Sequence, residues 1–199
     1  MGILVSAFEA FDGDASNITD DVLQAISTDE SIKEDDVSLV TLPVSRADAL
    51  PTLIDAIAAS KPDTIVCLGQ ANDRSEITVE KLAVNHCCYR IPDNQGEQPD
   101  DEPVIVGGPA AYFATLPVNK LVERLNADGF AASVSYSAGT YVCNSVFYGL
   151  MHYIEQSSQP VRGGFIHIPR GSPEDLAELT RAVQLVIHCL SDREREVDV

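Results

Sequence analysis

The sequence predicts an α/β domain built on a mostly parallel sheet with helices covering both faces. Three observations carry that reading. Short apolar runs of strand length alternate along the whole chain with stretches whose apolar residues recur every three or four positions. A length of 199 residues fits one domain at about 150 residues each. A composition of 45% hydrophobic and 22% charged residues is that of an ordinary globular core and surface.

The elements follow in order. Residues 2–8 are apolar and end at polar positions, as a buried strand does. Residues 17–27 place Ile18, Val22 and Ile26 at helical spacing. Residues 37–42 read as a strand that Pro43 ends. Residues 47–59 are alanine-rich, with Leu50, Leu53, Ile54 and Ile57 on one stripe, and 64–69 are a further buried strand. Residues 76–89 alternate less cleanly, although Ile77, Val79, Leu82 and Val84 favour extended structure. Residues 92–109 concentrate Pro, Gly, Asp and Asn and read as a long loop, a feature that inside a compact domain is often functional. A helix over 118–126, closed by Gly129, precedes a strand at 131–136, a helix at 144–154 and a strand at 163–168. Before the last helix, Ser172 is placed to cap, Pro173 to fill the first position and Asp175 to complete a capping box. Its stripe is Leu176, Leu179, Val183, Val186 and Leu190, and 192–199 is a charged tail expected to fray from a single domain spanning 1–199.

The chain carries 13 Lys and Arg against 31 Asp and Glu, a net charge of −18. Gripping a nucleic-acid backbone or an anionic membrane takes clustered cations, so neither partner is expected. No apolar run approaches the ~20 residues of a membrane span. The acids are spread along the chain, with lysine only at 33, 61, 81 and 120. That pattern fits a solvated face, or adaptation to high salt in which self-repulsion is screened. The N-terminus lacks a basic region and a cleavage site, and five cysteines, at 67, 87, 88, 143 and 189, form no C-x-x-C pair. A reducing cytoplasm with free thiols is therefore expected.

Chemistry is sought at the carboxyl ends of the strands, where open α/β sheets bind ligands. Cys143 follows a strand and a Ser137-Ala138-Gly139-Thr140 turn and precedes a helix. The partial positive charge and free N–H groups of a helix N-terminus favour a thiolate and can receive an oxyanion, so Cys143 is expected to be a low-pKa nucleophile that alkylates first. The competing reading is a buried structural cysteine. His167 comes near the end of a strand just before Pro169, where a general base could take the thiol proton, or where a histidine could simply be satisfied in the core. Glu80, between Val79 and Leu82, is either an exposed strand residue or a buried carboxylate orienting a histidine. Cys67 and Cys189 read as core, and His152 and His188 as packing or surface residues on helices. His86-Cys87-Cys88 lacks matching ligands elsewhere, so no metal is expected. The N-terminal match to a myristoylation pattern is better explained as the first strand, and the Asn17-Ile18-Thr19 sequon does not suit an intracellular chain.

Five motifs in order resemble one family. Phe8-Glu9-Ala10-Phe11-Asp12-Gly13 is followed by Arg90-Ile91-Pro92-Asp93-Asn94 with Gly96, Gln98 and Pro99. Gly108-Pro109-Ala110-Ala111-Tyr112-Phe113 comes next, with Thr115-Leu116-Pro117. Ser137-Ala138-Gly139-Thr140-Tyr141-Val142-Cys143-Asn144 and Gly163-Gly164-Phe165-Ile166-His167-Ile168-Pro169 complete the set. Together they resemble pyroglutamyl peptidase I, also called pyrrolidone-carboxylate peptidase, over nearly the whole chain.

The resemblance implies a three-layer α/β/α domain around a mixed sheet and a cysteine peptidase removing N-terminal pyroglutamate from peptides. It implies Cys143 as nucleophile, His167 as base and Glu80 as third member, with no metal or cofactor and frequent assembly as tetramers. Arg90 would assist the Cys143 N–H in holding the oxyanion. Phe8 and Phe11 would flank the lactam, with Ile91, Tyr141 and Val142 as further wall positions and backbone groups near Gln70 meeting its N–H and C=O. The chain departs from the family pattern at Ala7, Ala10 and Asp12 (Gly, Pro and Gly), at Asn72-Asp73 (two Gly) and at Tyr141 (Phe). These departures bear on substrate affinity. The alternatives are another cysteine amidase on the same scaffold, or a catalytically silent binding protein.

Overall fold

The computed structural model describes residues 2–29, 32, 36–157, 159–172 and 174–191. In chain order these contain β1 Ile3–Phe8, α1 Ile18–Ser27, β2 Val37–Leu42, α2 Ala49–Ser60, β3 Thr64–Ala71, β4 Ile77–Glu80 and β5 Leu82–Val84. There follow β6 Ala111–Phe113, α3 Val118–Ala127, β7 Ala132–Ser135, α4 Val142–Gln156, β8 Arg162–Pro169 and α5 Leu176–Ser191.

The main sheet runs β2-β1-β3-β8-β4-β7. Its first four strands are mutually parallel, β4 is antiparallel to β8, and β7 is parallel to β4. The sheet is thus mixed and mostly parallel, as the sequence predicts. The reversal at β4 has a simple cause. Residues 72–76 between β3 and β4 are far shorter than the roughly ten-residue crossover a parallel strand requires. β1 and β3 are buried along their whole length, which is why their sequences read as continuous apolar runs.

Helices close both faces. α1 packs on α5, which also meets α3, while α2 packs on α4, giving the α/β/α layering. Asn17 caps α1 by accepting from Thr19 N at 3.0 Å, and Gln70 Oε1 accepts from Ile18 N at 3.0 Å, tying the helix start to the end of β3.

Three elements differ from the sequence reading. α4 begins at Val142, so Cys143 lies inside its first turn rather than before it. Ala111–Phe113 forms a strand, β6, paired antiparallel with β5 in a separate two-stranded sheet. α5 begins at Leu176, later than Ser172 would set it. Ser172 N and Oγ both bond to Asp175 Oδ2, at 2.6 and 2.9 Å, so the pair closes a turn of its own ahead of the helix. Pro173 and the 192–199 tail lie outside the described residues.

The placement of the site follows from register. β1 pairs with β2 out to Phe8–Leu42 but with β3 only to Ser6–Cys67. The strands β1 and β3 therefore part at their carboxyl ends, at the point where the chain order switches direction. A crevice at such a point is where open α/β sheets bind ligands.

Candidate active site

A cavity of about 560 Å³ opens at that edge. Phe8 from the end of β1, Gln70 from the end of β3 and His167 from β8 line it, together with Cys143 from the first turn of α4. Glu80 is fully buried behind the wall, its Oε1 2.8 Å from His167 Nδ1. The reading of Glu80 as an exposed strand residue is thereby excluded. The hydrogen bond of His167 runs to Glu80, and no hydrogen bond joins its ring to Cys143 Sγ among the described residues.

Gly69 makes room for the imidazole. It sits directly opposite His167 in the β3–β8 register. A Cβ there would fall 2.6 Å from Phe165 Cε1 and 3.0 Å from His167 Cδ2. The Phe165 ring in turn packs on His167 at 4.8 Å between centroids and holds it from one side.

Protonation divides the three side chains. Burial pushes Glu80 upward, but its hydrogen bond and charge interaction with His167, joined by Arg74, more than reverse this and hold it below the ordinary 4.5. Burial takes His167 below 6.5, although Glu80 pulls the other way. The resting pair is therefore a carboxylate and a neutral imidazole whose Nδ1–H donates to Glu80, leaving Nε2 as the free acceptor. Burial also pushes the Cys143 thiol up to about 12, and the Glu80 charge adds to that. Its own backbone N–H and Arg74 pull downward without prevailing. The low-pKa thiolate expected from the helix terminus is not what this environment favours, because loss of water outweighs the N–H groups.

The remaining sequence-derived positions fall into two groups. Phe11, Arg90, Ile91 and Tyr141 line the cavity. Val142 does not: it is buried in the core at the start of α4. The Gln70 side chain is already engaged, accepting from Ile18 N and donating to Asn72 Oδ1 at 2.8 Å. Its contribution to a ligand would come from the backbone. Cys67 is fully buried as expected, Cys189 is half-buried against the core, and His152 Nδ1 lies 2.8 Å from Tyr112 Oη. No cluster of potential metal ligands occurs among the described residues. No helix among them is long and apolar enough to cross a membrane.

Comparison with known proteins decides the family. The sequence profile described as pyroglutamyl peptidase matches residues 1–184. The chain belongs to the pyroglutamyl peptidase family. It is 44% identical over 169 residues to a pyrrolidone-carboxylate peptidase of Vibrio parahaemolyticus, covering 84% of this chain and 77% of that one. A Brevibacillus brevis pyrrolidone-carboxylate peptidase is 39% identical over 206 residues, covering 98% and 95%. The crystal structure of pyroglutamyl peptidase I from Bacillus amyloliquefaciens superposes with a TM-score of 0.86 at 37% identity over 96% of each chain. The pyrrolidone carboxyl peptidase of Thermococcus litoralis gives 0.87 at 33% identity, over 99% of this chain and 96% of that one.

The structure gives physical accounts of the motifs on which the resemblance rests. In Arg90-Ile91-Pro92-Asp93-Asn94, buried Asp93 accepts from the backbone N–H groups of Arg46, Gln95 and Glu97. Asn94 donates to Glu9 Oε1 and Ala10 O, at 2.8 and 2.9 Å. The long loop is thus pinned as a rigid wall that carries Arg90 and Ile91. Buried Asn144, beside the cysteine, accepts from Val84 N and donates to Val84 O and His86 O, fastening α4 to β5 and the segment after it. Where the family pattern has Phe, the Tyr141 hydroxyl donates to Pro92 O at 3.0 Å and so braces the same loop. Asp12, where the pattern has Gly, is exposed with φ of 55°, a left-handed conformation that Asp tolerates better than most residues.

Sequence reasoning missed Arg74. Its Nη1 donates to Glu80 Oε1 at 2.5 Å and to Thr78 Oγ1, and its Nη2 donates to Ser137 O at 2.8 Å. The available signal was its position, three residues past the carboxyl end of a buried strand and six before a carboxylate in an apolar setting.

Proposed function

We propose that this protein is a cysteine peptidase that removes N-terminal pyroglutamate from peptides, with Cys143 as nucleophile, His167 as general base and Glu80 as the residue orienting it. The observation that carries the assignment is the 2.8 Å bond from His167 Nδ1 to the buried Glu80, which leaves Nε2 free on a cavity wall shared with Cys143. Family membership supports the substrate class.

In this mechanism His167 Nε2 takes the thiol proton as sulfur attacks the pyroglutamyl carbonyl carbon. Because the thiol rests protonated, transfer accompanies attack instead of preceding it. The oxyanion meets N–H groups of the first turn of α4, that of Cys143 among them, with Arg90 on the cavity lining. The imidazolium, held by Glu80, then protonates the departing amine as the carbon–nitrogen bond breaks. Water, deprotonated by His167, hydrolyses the thioester and restores the thiol.

Pyroglutamate is a neutral, nearly flat lactam. Phe8, Phe11, Ile91 and Tyr141 offer it apolar faces, and the β3 backbone near Gln70, beyond the last β1–β3 pair at Ser6–Cys67, offers hydrogen-bonding groups, whereas Phe8 N is already taken by Thr19 Oγ1. An open-chain or charged residue would leave such groups unpaired at about 1–3 kcal/mol each. The same reading makes the chain a cytoplasmic homo-oligomer, a tetramer by family resemblance, acting without a cofactor. Its test is release of a chromophore from a pyroglutamyl anilide. A prolyl anilide should remain intact, and Cys143→Ala should retain the fold and lose turnover. Activity surviving in Cys143→Ala would reject the nucleophile, and equal cleavage of both anilides would point to another amidase.

A further inference from the structure

Arg74 stands outside the three side chains assigned to the chemistry, yet it touches the structures that carry two of them. It leaves the β3–β4 turn and lines the cavity, with 22% of its side chain exposed. One nitrogen reaches Glu80 Oε1, the same oxygen that receives His167 Nδ1. That nitrogen also reaches Thr78, which faces His167 across the β4–β8 register. The other nitrogen holds the carbonyl of Ser137, at the start of the turn that leads into α4 and Cys143. The sequence separations are 6 and 63 residues, so one side chain ties its own turn both to β4 and to the turn that follows β7, the strand beside β4.

We propose that Arg74 is a positioning residue, whose guanidinium fixes the Glu80 carboxylate and the nucleophile-bearing turn in one frame so that imidazole and sulfur keep their alignment. A planar fork with several donors at fixed angles can hold a carboxylate, a hydroxyl and a carbonyl at once. A lysine ammonium supplies the charge without the fork. This assignment rests on the peptidase reading above.

The charges agree with the geometry. The charged and titratable groups facing His167 are Glu80 on β4, Arg74 and Asp73 on the β3–β4 turn, and Cys143 on α4. Glu80 raises the affinity of both the imidazole and the sulfur for a proton, and Arg74 lowers both. Removing the guanidinium leaves Glu80 unopposed. His167 then holds its proton to higher pH, so the acid limb of kcat/KM moves upward.

The test uses the full chain and a pyroglutamyl anilide, with Arg74→Ala, Arg74→Met and Arg74→Lys compared across pH. For Arg74→Ala we expect kcat to fall about 10²-fold, the scale set by small misalignments at a reacting centre. KM should change little and the acid limb should shift upward. Millimolar guanidinium chloride should restore part of the activity to Arg74→Ala, and none to Arg74→Met, whose side chain fills the space. Arg74→Lys should keep the wild-type acid limb and still lose kcat. A kcat within threefold of wild type, a loss confined to KM, or an unmoved acid limb in Arg74→Ala would overturn the proposal. If Arg74→Ala fails to fold, Arg74→Lys decides: low kcat with an unmoved limb supports the assignment, and wild-type kcat refutes it. Inactive wild-type protein would instead reject the peptidase reading itself.

Discussion

Replacing Glu80 by Gln isolates the charge from the shape. Two hydrogen bonds to the carboxylate land on Oε1, from His167 Nδ1 at 2.8 Å and Arg74 Nη1 at 2.5 Å. An amide oxygen at that position keeps both bonds, and with them the imidazole tautomer. What disappears is the attraction between a carboxylate and the imidazolium that the proposed mechanism forms as sulfur attacks. Two unit charges ~3.5 Å apart at an effective dielectric of about 20 interact by about 5 kcal/mol. The open cavity screens part of this, leaving about 3–4 kcal/mol, or roughly 10²–10³-fold in kcat. KM should barely change, because Glu80 is buried behind the wall. The acid limb of kcat/KM should move to lower pH, since Glu80 is the group that raises His167. The assay is steady-state hydrolysis of a pyroglutamyl anilide across pH, with thermal melting to verify the fold. A folded Glu80→Gln enzyme with kcat within tenfold of wild type, or with its limb moved upward, would show that the carboxylate does not stabilise the imidazolium.

Other consequences follow from the same contacts. Gly69→Ala should destabilise by about 1–3 kcal/mol and lower kcat, because the new methyl strikes the Phe165 ring that packs on His167; urea melts and kinetics together check it. Folding stability should fall with acid. The native affinities of Glu80 and His167 for protons both lie below their unfolded values, so the unfolded chain binds more protons and stability rises with pH. The His167 share is fully present above about 6.5 and lost as pH falls below it; the Glu80 share is lost below about 4.5. Urea midpoints measured in half-molar salt, where general repulsion is screened, should drop in those windows, and a flat profile would contradict the assignment. Alkylation of Cys143 by iodoacetamide should accelerate about tenfold per pH unit from 7 to 9, as for a thiol pushed up to about 12. A rate already constant at pH 7 would reinstate a preformed thiolate.

Much of this molecule is legible in its sequence for identifiable reasons. β1 and β3 are buried on both faces, so their apolar runs have no competing interpretation. Cys143 and His167 are flagged by position alone, one at a helix start and the other at a strand end before Pro169. β6 escapes notice because three residues, half-buried or exposed, pair only with another short strand and leave no periodic signature. The start of α5 is misplaced because the Ser172–Asp175 pair satisfies itself, a local alternative that competes with a cap. The Cys143 proton affinity is misjudged because helix position is visible in sequence while desolvation is a property of the packed cavity. Arg74 is invisible for a related reason. Its partner Ser137 lies 63 residues away, and only the mixed sheet, with β7 beside β4, brings that turn within reach.

The arrangement also explains how so acidic a chain presents a site suited to a neutral ligand. The buried Glu80 carries a negative charge, but Arg74 sits on the same oxygen and offsets it. His167 rests neutral and Cys143 rests as a thiol, so the paired Arg74 and Glu80 leave these four side chains with no net charge. An uncharged lactam then meets no net charge at that cluster, although Asp73 and Arg90 also line the cavity. In the proposed mechanism charge separates only as sulfur attacks. The positive charge would arise on the imidazole against Glu80, and the negative charge on the carbonyl oxygen beside the N–H groups of α4 and the Arg90 guanidinium. Donors and acceptors are therefore in place for charges that the resting site does not hold. Interactions realised only in the transition state raise kcat without tightening ground-state binding.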